Sequence, residues 1–302
     1  MFEERAALRA AVRGLLGGQI AADGMWARLC KEIGVAGLTV PEEYGGSGAT
    51  LGEAAVVLEE LGRVLSPAPM LGTVLAVHVL LESGDEETRA RLLPAICSGE
   101  RIVTAVWAGC VFPADTVLVV RDGTLSEIEG GIEITDSLDL TRPTGRLRSE
   151  DGSAPGLRDV ACAALAAEQL GTAERALELT VAYVQERHQF GRPIGSFQVL
   201  QHRLAEAYVR VQAARSASEA AVQAVADGSA DAPLLAAAAK ITCSETLRAV
   251  AAEMVQMHGG IAITWEHDAH RFLRRAWATA QMYGSPESHV ARLTPTLLSS
   301  PD

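Results

Sequence analysis

The run Val160–Arg187, "VACAALAAEQLGTAERALELTVAYVQER", decides the fold of this chain. Apolar and small residues recur along it at helical spacing, enough for about eight turns of helix. Two further runs of similar length follow, and we expect them to end at Gly228 and at Gly259-Gly260, since glycine commonly terminates helices. A fourth helix is predicted over 265–282. Long alanine-rich helices joined by short loops predict an antiparallel four-helix bundle packed on faces of small residues.

The character of the sequence divides the chain into three predicted domains. Residues 1–100 contain several segments with apolar positions at helical spacing, which predicts an N-terminal helical domain. Residues 101–159 change to short β-branched runs separated by Gly and Asp, which predicts a reduced middle β domain of four or five short strands, too short for an independent barrel. Residues 160–302 form the predicted C-terminal bundle. The fold class is therefore predicted as mainly α.

Some boundaries within these domains carry specific signals. Thr50, followed by Glu53 three residues later, predicts a capping box at the start of a helix. Asp231 is predicted to cap the helix that has Pro233 in its first turn. The middle segment ends in a loose polar stretch over 141–159, for which no strand is predicted.

Composition disfavours several classes of function. The 302 residues carry 26 Lys+Arg against 38 Asp+Glu, a formal net charge of −12, which disfavours binding to nucleic acid or to an anionic membrane surface. The five cysteines lie far apart without a CxxC pair, which is typical of reduced thiols rather than of a disulfide framework or a zinc site. No apolar run approaches the roughly 20 residues of a membrane span, and the N-terminus has no apolar signal core. We therefore expect a soluble cytoplasmic protein.

Two segments of the predicted bundle are candidates for ligand binding. Arg187–Gln198, "RHQFGRPIGSFQ", is predicted to be a helix end, a tight loop and a new helix, and an arginine beside exposed loop amides can hold a phosphate. Gln256–Asp268, "QMHGGIAITWEHD", presents an amide before two glycines that allow a ligand to come close to the backbone. Each segment also has a plainer interpretation, as a helix connection with no ligand. The residues alone leave both interpretations open.

Taken in order, these segments resemble a known family. "VPEEYGGSG", "YVQERHQFGRPIGSFQVLQHRLAEA", "QMHGGIAITWEHDAHRFLRRA" and a C-terminal turn with Gly and Ser resemble the acyl-CoA dehydrogenase family of flavoproteins. The resemblance covers nearly the whole chain and is strongest in its C-terminal half. It implies the same order of three domains, FAD as the cofactor, and oxidation of an acyl-CoA thioester to the 2,3-enoyl-CoA.

The resemblance also implies which residues face the cofactor. In the family, an RxxFG motif and a QxxGG motif reach across a dimer to the FAD of the neighbouring subunit, commonly with one further polar residue. The corresponding positions here are Arg187, Gln189, Phe190, Gln256, Gly259 and Gly260. The chain is therefore expected to complete the FAD site of a partner.

The groups for an active site of the chain's own depart from the family pattern. The family's catalytic glutamate precedes a glycine near the C-terminus, and Tyr283 occupies that position here, before Gly284. A tyrosine with an ordinary pKa near 10 is a poor base at neutral pH. The alternative base position of the family falls near Ala161, beside Cys162, where no carboxylate stands. Glu168, about two turns further along, is a candidate substitute base, and its plainer role is a polar partner inside the bundle.

The middle segment lacks the Thr-Glu-Pro and Gly-Ser-Asp residues that line the flavin in the family, and it is roughly half the length that the resemblance implies. These departures predict the short subunit of a hetero-oligomeric acyl-CoA dehydrogenase, paired with a full-length subunit that carries the base, the flavin loop and the acyl-CoA site. The shorter middle domain would leave room for bulky acyl groups, such as polycyclic or steroid side-chain thioesters. Two alternatives stay open: a self-sufficient homodimeric enzyme that uses Tyr283 or Glu168, and a flavin-free scaffold.

A pair of histidines raises the question of a metal site. His267 and His270 lie one turn apart with acidic neighbours, a pattern that a zinc-binding helix can show. Because the surrounding residues fit the family resemblance, we predict no metal there. We expect Asp268 and His270 to hold their helix against Arg274 and Arg275.

Overall fold

The computed structural model of the chain describes residues 2–17, 24–106, 110–130, 132–147, 154 and 156–298. The protein is mainly helical, as predicted. Nowhere in these ranges is there a helix both long and apolar enough to cross a lipid bilayer. The helices that precede the strands are α1 (Phe2–Leu16), α2 (Met25–Ile33), α3 (Leu51–Arg63), α4 (Met70–Ser83) and α5 (Glu86–Cys97).

The start of α3 confirms the predicted capping box. Thr50 Oγ1 accepts a hydrogen bond from the Gly52 amide at 3.1 Å, and the Glu53 carboxylate accepts one from the Thr50 amide at 2.9 Å.

The helix α4 has no amphipathic pattern, because it is apolar and buried on nearly every side. Its helical character therefore comes from its position inside the core and not from a periodic signal.

The middle segment contains two small sheets. Its strands are β1 (Val103–Ala105), β2 (Thr116–Arg121), β3 (Thr124–Glu129), β4 (Ile132–Thr135) and β5 (Thr144–Leu147). β2 pairs in parallel with β1 and antiparallel with β3, while β4 and β5 form an antiparallel pair.

β5 lies in the polar stretch for which no strand was predicted, so that prediction was wrong. Pairing with β4 supplies the hydrogen bonds that the local sequence does not signal. The rest of that stretch at 148–153 and 155, and the predicted strand end at 107–109, lie outside the described residues.

The second half of the chain forms the predicted bundle. Its elements are α6 (Leu157–Glu186), the hairpin β6 (His188–Gln189) and β7 (Arg192–Pro193), α7 (Gln198–Ala226), α8 (Ala232–His258), α9 (Ala269–Gln281) and α10 (Pro286–Leu298). α6 and α8 pack against each other and each packs against α7 and α9, while α10 packs on α8. Asp231 occupies the N-cap position of α8, as predicted, but its side chain does not cap the helix. Its backbone is helical and its side chain makes no capping hydrogen bond.

α3 crosses α6 at two glycines, which brings the N-terminal helices onto the bundle. A Cβ at Gly62 would lie 2.2 Å from the Glu168 carbonyl oxygen, and one at Gly171 would lie 2.0 Å from the Glu59 carbonyl oxygen. Neither position has room for a side chain. The close crossing fixes α6 against α3, and it places Glu168 at the centre of the molecule, where one large hydrophobic core joins both halves of the chain. The division into three domains stays a prediction.

Candidate functional site

The six residues that the resemblance assigns to a neighbour's cofactor lie together at one end of the bundle. Four of them come from two helix ends: Arg187 follows the last residue of α6, Gln256 is in the last turn of α8, and the Gly259-Gly260 pair follows α8. The others come from the hairpin after α6, and all six are exposed. We call this set the bundle-end surface: Arg187, Gln189, Phe190, Gln256, Gly259 and Gly260.

Phe190 is the most unusual member of the bundle-end surface. Its side chain is 91% exposed, and its backbone has a φ of 55°, in the left-handed region that non-glycine residues rarely adopt. The Phe190 ring contacts the Phe197 ring edge-on, with 6.1 Å between the two centroids. Arg192 Cζ lies over the Phe197 ring, 4.1 Å from its centroid. A large apolar side chain held out on a strained turn is typical of a residue that another molecule covers.

The glycines of this surface leave space for an external ligand. A Cβ at Gly259 or at Gly260 would meet no atom of the chain within 4 Å. Gly259 has a φ of +66°, a conformation that favours glycine, so its backbone alone accounts for a glycine at this position. Gly260 has no such requirement and no packing constraint within the chain. The open backbone beside it therefore fits close approach by a group that the chain itself does not supply.

A stack of rings fixes the two helix ends of the bundle-end surface to each other. Tyr183, on the last turn of α6, stacks on His258, the last residue of α8, with 4.1 Å between ring centroids, and its hydroxyl lies 3.4 Å from the His258 carbonyl oxygen. His258 Nδ1 lies 2.7 Å from the Met254 carbonyl oxygen, and its ring lies 4.6 Å from that of His267. Burial lowers the pKa of His258, so the imidazole in the stack is held neutral.

The turn after α9, which carries Tyr283, is closed to solvent. Tyr283 is 3% exposed and has a φ of 59°. Its carbonyl oxygen lies 3.0 Å from His289 Nε2, and the preceding end of α9 is held by Lys240 Nζ, which donates to the Ala280 carbonyl oxygen at 3.0 Å. Burial raises the pKa of Tyr283 well above 10, with a further contribution from Cys110. The phenol is therefore un-ionised at neutral pH and is a poor proton acceptor there.

Glu168 lies near Tyr283 and is already paired. Its Oε2 contacts Arg142 Nη2 at 2.5 Å, and its Oε1 accepts a hydrogen bond from Arg275 Nη1 at 3.2 Å. Arg275 also pairs with Asp139 through Nε, and its Nη2 donates to Leu65 O at 3.1 Å. We call these four side chains the buried charge cluster: Asp139, Arg142, Glu168 and Arg275.

The buried charge cluster is neutral in sum and almost sealed. Arg275 is 0% exposed and Arg142 is 5% exposed. Burial and the Arg142 guanidinium lower the pKa of Arg275, while Asp139 and Glu168 oppose that shift. Because each oxygen of Glu168 contacts a guanidinium, this carboxylate is not free to accept a substrate proton. The arrangement instead joins α6, α9 and the middle segment.

The sequence prediction for Arg275 was wrong. It was expected to face Asp268 and His270 on its own helix, but its partners come from α6 and the middle segment. Asp268 instead pairs with Arg271 at 3.2 Å, and His270 lies edge-on to Trp265 with 5.0 Å between ring centroids. The missed signal was periodicity: Arg275 falls on the buried face of α9 with Phe272, Ala276 and Thr279.

The remaining candidates have structural partners. Cys162, beside the family's alternative base position, lies 3.8 Å from His289 Nε2, and burial raises the pKa of its thiol to about 11. His267 Nδ1 accepts a hydrogen bond from the Ala269 amide at 3.0 Å. Within the described part of the chain, no three His, Cys, Asp or Glu side chains are grouped so that they could hold a metal ion.

Comparison with known proteins identifies the class to which this fold and these motifs belong. The acyl-CoA dehydrogenase N-terminal domain matches residues 3–100, and the acyl-CoA dehydrogenase C-terminal domain matches residues 159–298. The chain belongs to the acyl-CoA dehydrogenase family, a family of flavin-dependent oxidoreductases.

Particular relatives sharpen the placement. The chain is 42% identical to the acyl-CoA dehydrogenase IpdE2 of Mycobacterium tuberculosis, over 92% of this chain and 88% of the relative. It is 41% identical to IpdE2 of Mycolicibacterium smegmatis, over 96% and 93%. Among solved structures, it matches a chain of the Tcur3481-Tcur3483 steroid ACAD, with a TM-score of 0.85, 27% identity and 98% coverage of both chains. It matches the ChsE4-ChsE5 complex of Mycobacterium tuberculosis with a TM-score of 0.85, 25% identity, and 99% and 98% coverage.

Proposed function

We propose that this chain is the short subunit of a hetero-oligomeric acyl-CoA dehydrogenase. It completes the FAD site of a full-length partner subunit, and the partner holds the acyl-CoA and carries the catalytic base. The assembly oxidises an acyl-CoA thioester to the 2,3-enoyl-CoA. The chain's contribution is to position and stabilise groups at the partner's site.

The observation that carries this proposal is the contrast between the two parts of the bundle. The six residues of the bundle-end surface are exposed and open to a second molecule. Tyr283, where the family's glutamate would stand, is instead buried, and Arg142 and Glu168 of the buried charge cluster lie close enough to affect its pKa. A chain with an accessible outward surface and a sealed centre fits a role in another subunit's site better than a role in its own.

The residues of the bundle-end surface fit the chemistry of a dinucleotide. A bound FAD supplies the hydride acceptor, while a carboxylate of the partner removes the α-proton. Arg187 presents a guanidinium suited to a diphosphate, and Gln256 and Gln189 present amides. Phe190 supplies an apolar surface that becomes covered on assembly. Gly259 and Gly260 expose backbone that a bulkier residue would cover.

Two of the structural relatives support a partner of this kind. The names Tcur3481-Tcur3483 and ChsE4-ChsE5 each join two different components, and the second is described as a complex. The first is called a steroid ACAD, which favours a bulky alicyclic acyl group as the substrate class here. A middle segment this short, in which the described residues form sheets of three and two strands, would leave room for such a group.

Co-expression with candidate full-length dehydrogenases tests the proposal. We expect the purified complex to hold one FAD for each pair of chains, and the chain expressed alone to be colourless. Arg187→Ala should lower the FAD content of the complex, because it removes a cation from the cofactor site. Arg28→Ala is the matched control, since Arg28 is also exposed but pairs with Glu32 on α2. A chain that is fully flavinylated and turns over acyl-CoA alone would refute the proposal.

The same preparations separate the two alternatives. A self-sufficient homodimer predicts turnover by the chain alone, abolished by Tyr283→Phe or Glu168→Gln. Our proposal predicts that Tyr283→Phe leaves turnover of the complex unchanged. A flavin-free scaffold predicts that Arg187→Ala has no effect on the flavin content of any complex.

A further inference from the structure

Three large apolar side chains project into solvent directly after the bundle-end surface. Ile261, Ile263 and Trp265 are 44%, 77% and 68% exposed, whereas Ala262, between the first two, is fully buried and anchors the segment. The two isoleucines belong to a short 3-10 helix over Gly259–Ile263, which begins with the two glycines of the bundle-end surface. We call Ile261, Ile263 and Trp265 the apolar patch.

The apolar patch is held in place by contacts within the chain. The Thr264 amide and hydroxyl both donate to the Ile261 carbonyl oxygen, at 3.1 and 2.8 Å. The Trp265 ring lies edge-on to His270, with 5.0 Å between ring centroids, and Arg274 Cζ lies 5.7 Å from the centroid of the Trp265 ring. Because the backbone and the indole are already ordered, covering the patch costs less conformational entropy than ordering a loose loop.

Charged side chains surround the apolar patch. Glu266 and Asp268 are exposed, Asp268 pairs with Arg271 at 3.2 Å, and Arg274 lies beside the indole. An apolar centre that contains a tryptophan and has a charged rim is the usual composition of a protein–protein interface. Exposed apolar patches with a polar rim mark such interfaces on soluble proteins. The apolar patch therefore fits contact with another polypeptide.

The position of the apolar patch indicates which polypeptide covers it. Ile261 and Ile263 offer aliphatic surface without a side-chain hydrogen bond or a ring, so they suit protein side chains better than a dinucleotide. They follow Gly260 by one and three residues, and each residue of a 3-10 helix advances about 2 Å. A body that approaches the open backbone at Gly260 therefore also reaches both isoleucines. In the function proposed above, that body is the full-length partner with its cofactor.

We propose that the apolar patch is a docking site for the protein surface of the full-length partner subunit, and that it contributes to association of the two chains and not to cofactor binding. This inference rests on the function proposed above. It divides the end of the bundle into two parts with separate effects. Arg187 acts on the cofactor, whereas Ile263 and Trp265 act on the affinity between the chains.

The affinity between the chains tests the inference. The co-expressed complex is purified, diluted in saturating FAD and analysed by mass photometry, which gives the Kd for its two subunits. Trp265→Ala and Ile263→Asp should each raise this Kd at least about tenfold, because they remove or charge the centre of the interface. The FAD content of each assembled pair should stay unchanged.

Leu234→Asp is the matched control for Ile263→Asp. Leu234 is also an exposed aliphatic residue, but it lies near the start of α8, about 35 Å along the helix from the end that carries the patch. Its substitution should leave the Kd unchanged. Circular dichroism confirms that each variant is folded.

The outcomes separate this inference from the proposed function. Unchanged Kd values in folded Trp265→Ala and Ile263→Asp overturn the inference alone. Unchanged Kd values with a lowered FAD content also overturn it, because the patch would then contact the cofactor. Self-association of the chain alone, lost in Trp265→Ala, would make a second copy the occupant and overturn it too. Absence of a complex with every full-length dehydrogenase overturns both the inference and the proposed function.

Discussion

Glu168 and Arg275 are 107 residues apart in the chain, yet Arg275 Nη1 donates to Glu168 Oε1 at 3.2 Å in the centre of the molecule. The pair joins the first helix of the bundle to α9, the helix that leads into the Tyr283 turn. Asp139 and Arg142 extend it into the middle segment. The geometry explains how a chain with a short middle segment keeps that segment attached to the bundle.

Removing Arg275 should strongly destabilise the fold. Arg275→Ala leaves Asp139 and Glu168 buried with one guanidinium between them, and breaking a buried pair from one side costs about 3–5 kcal/mol. Urea unfolding followed by circular dichroism measures the loss. The control is Arg271→Ala on the same helix, which breaks a partly exposed pair with Asp268 and should cost less than about 1 kcal/mol. Equal losses for the two variants would contradict the role assigned to the cluster.

Stability should rise with pH through the titration of Lys240. Burial lowers the pKa of this lysine to about 8 in the folded chain, whereas an unfolded lysine titrates near 10.5. Between these values the unfolded state binds more protons than the folded state, so the folded state gains stability as pH increases. Between pH 7 and pH 10.5, the free energy of unfolding of the wild type should therefore rise by about 3 kcal/mol relative to that of Lys240→Met.

Urea unfolding at several pH values checks the Lys240 prediction. Lys31→Met supplies the control, because Lys31 is exposed on α2 and its substitution should give no pH-dependent difference from the wild type. A difference between wild type and Lys240→Met that stays constant over this pH range would show that the buried amine does not titrate near pH 8.

The ring stack should be necessary for the bundle-end surface to work. His258→Ala removes the ring between Tyr183 and His267, so the ends of α6 and α8 lose their fixed spacing. We expect lower FAD content in the complex and a changed flavin absorption spectrum, whereas His258→Phe, which keeps a ring, should retain more of both. Tyr44→Phe, in the N-terminal half, controls for general effects of aromatic substitution. Normal flavin content in a folded His258→Ala complex would rule out this positioning role.

The two predicted helix caps should respond differently to alanine. Thr50→Ala removes the side-chain acceptor of the Gly52 amide and should cost about 1 kcal/mol. Asp231→Ala removes a side chain that makes no capping hydrogen bond and should cost less than about 0.5 kcal/mol. Thermal unfolding of both variants tests the difference. A larger loss for Asp231→Ala would mean that the sequence rule, and not the observed geometry, describes the start of α8.

The sequence predicted those elements whose signal is local. Helical spacing was sufficient for α1, α2, α3, α5 and the bundle helices, and the β-branched runs were sufficient for the first four strands of the middle segment. α4 and β5 carry no such signal. The first is apolar on nearly all sides, and the second depends on its pairing with β4.

The candidate site shows the same limit. Family motifs pointed to the bundle-end surface, because each motif is contiguous in sequence. The buried charge cluster could not be predicted in this way, since Asp139, Glu168 and Arg275 come from three separate elements. Only folding brings them together, and their helical or strand periodicity alone does not show which charges meet.

The cluster also bears on what a carboxylate at position 283 could do. Tyr283→Glu would introduce a third carboxylate near the buried charge cluster, whose two carboxylates are already paired with its two guanidiniums. The new acid would stay protonated in these surroundings, so one substitution would supply the glutamate of the family motif without its reactivity. A reactive carboxylate at this position would therefore require coordinated changes in the buried charge cluster as well as at Tyr283.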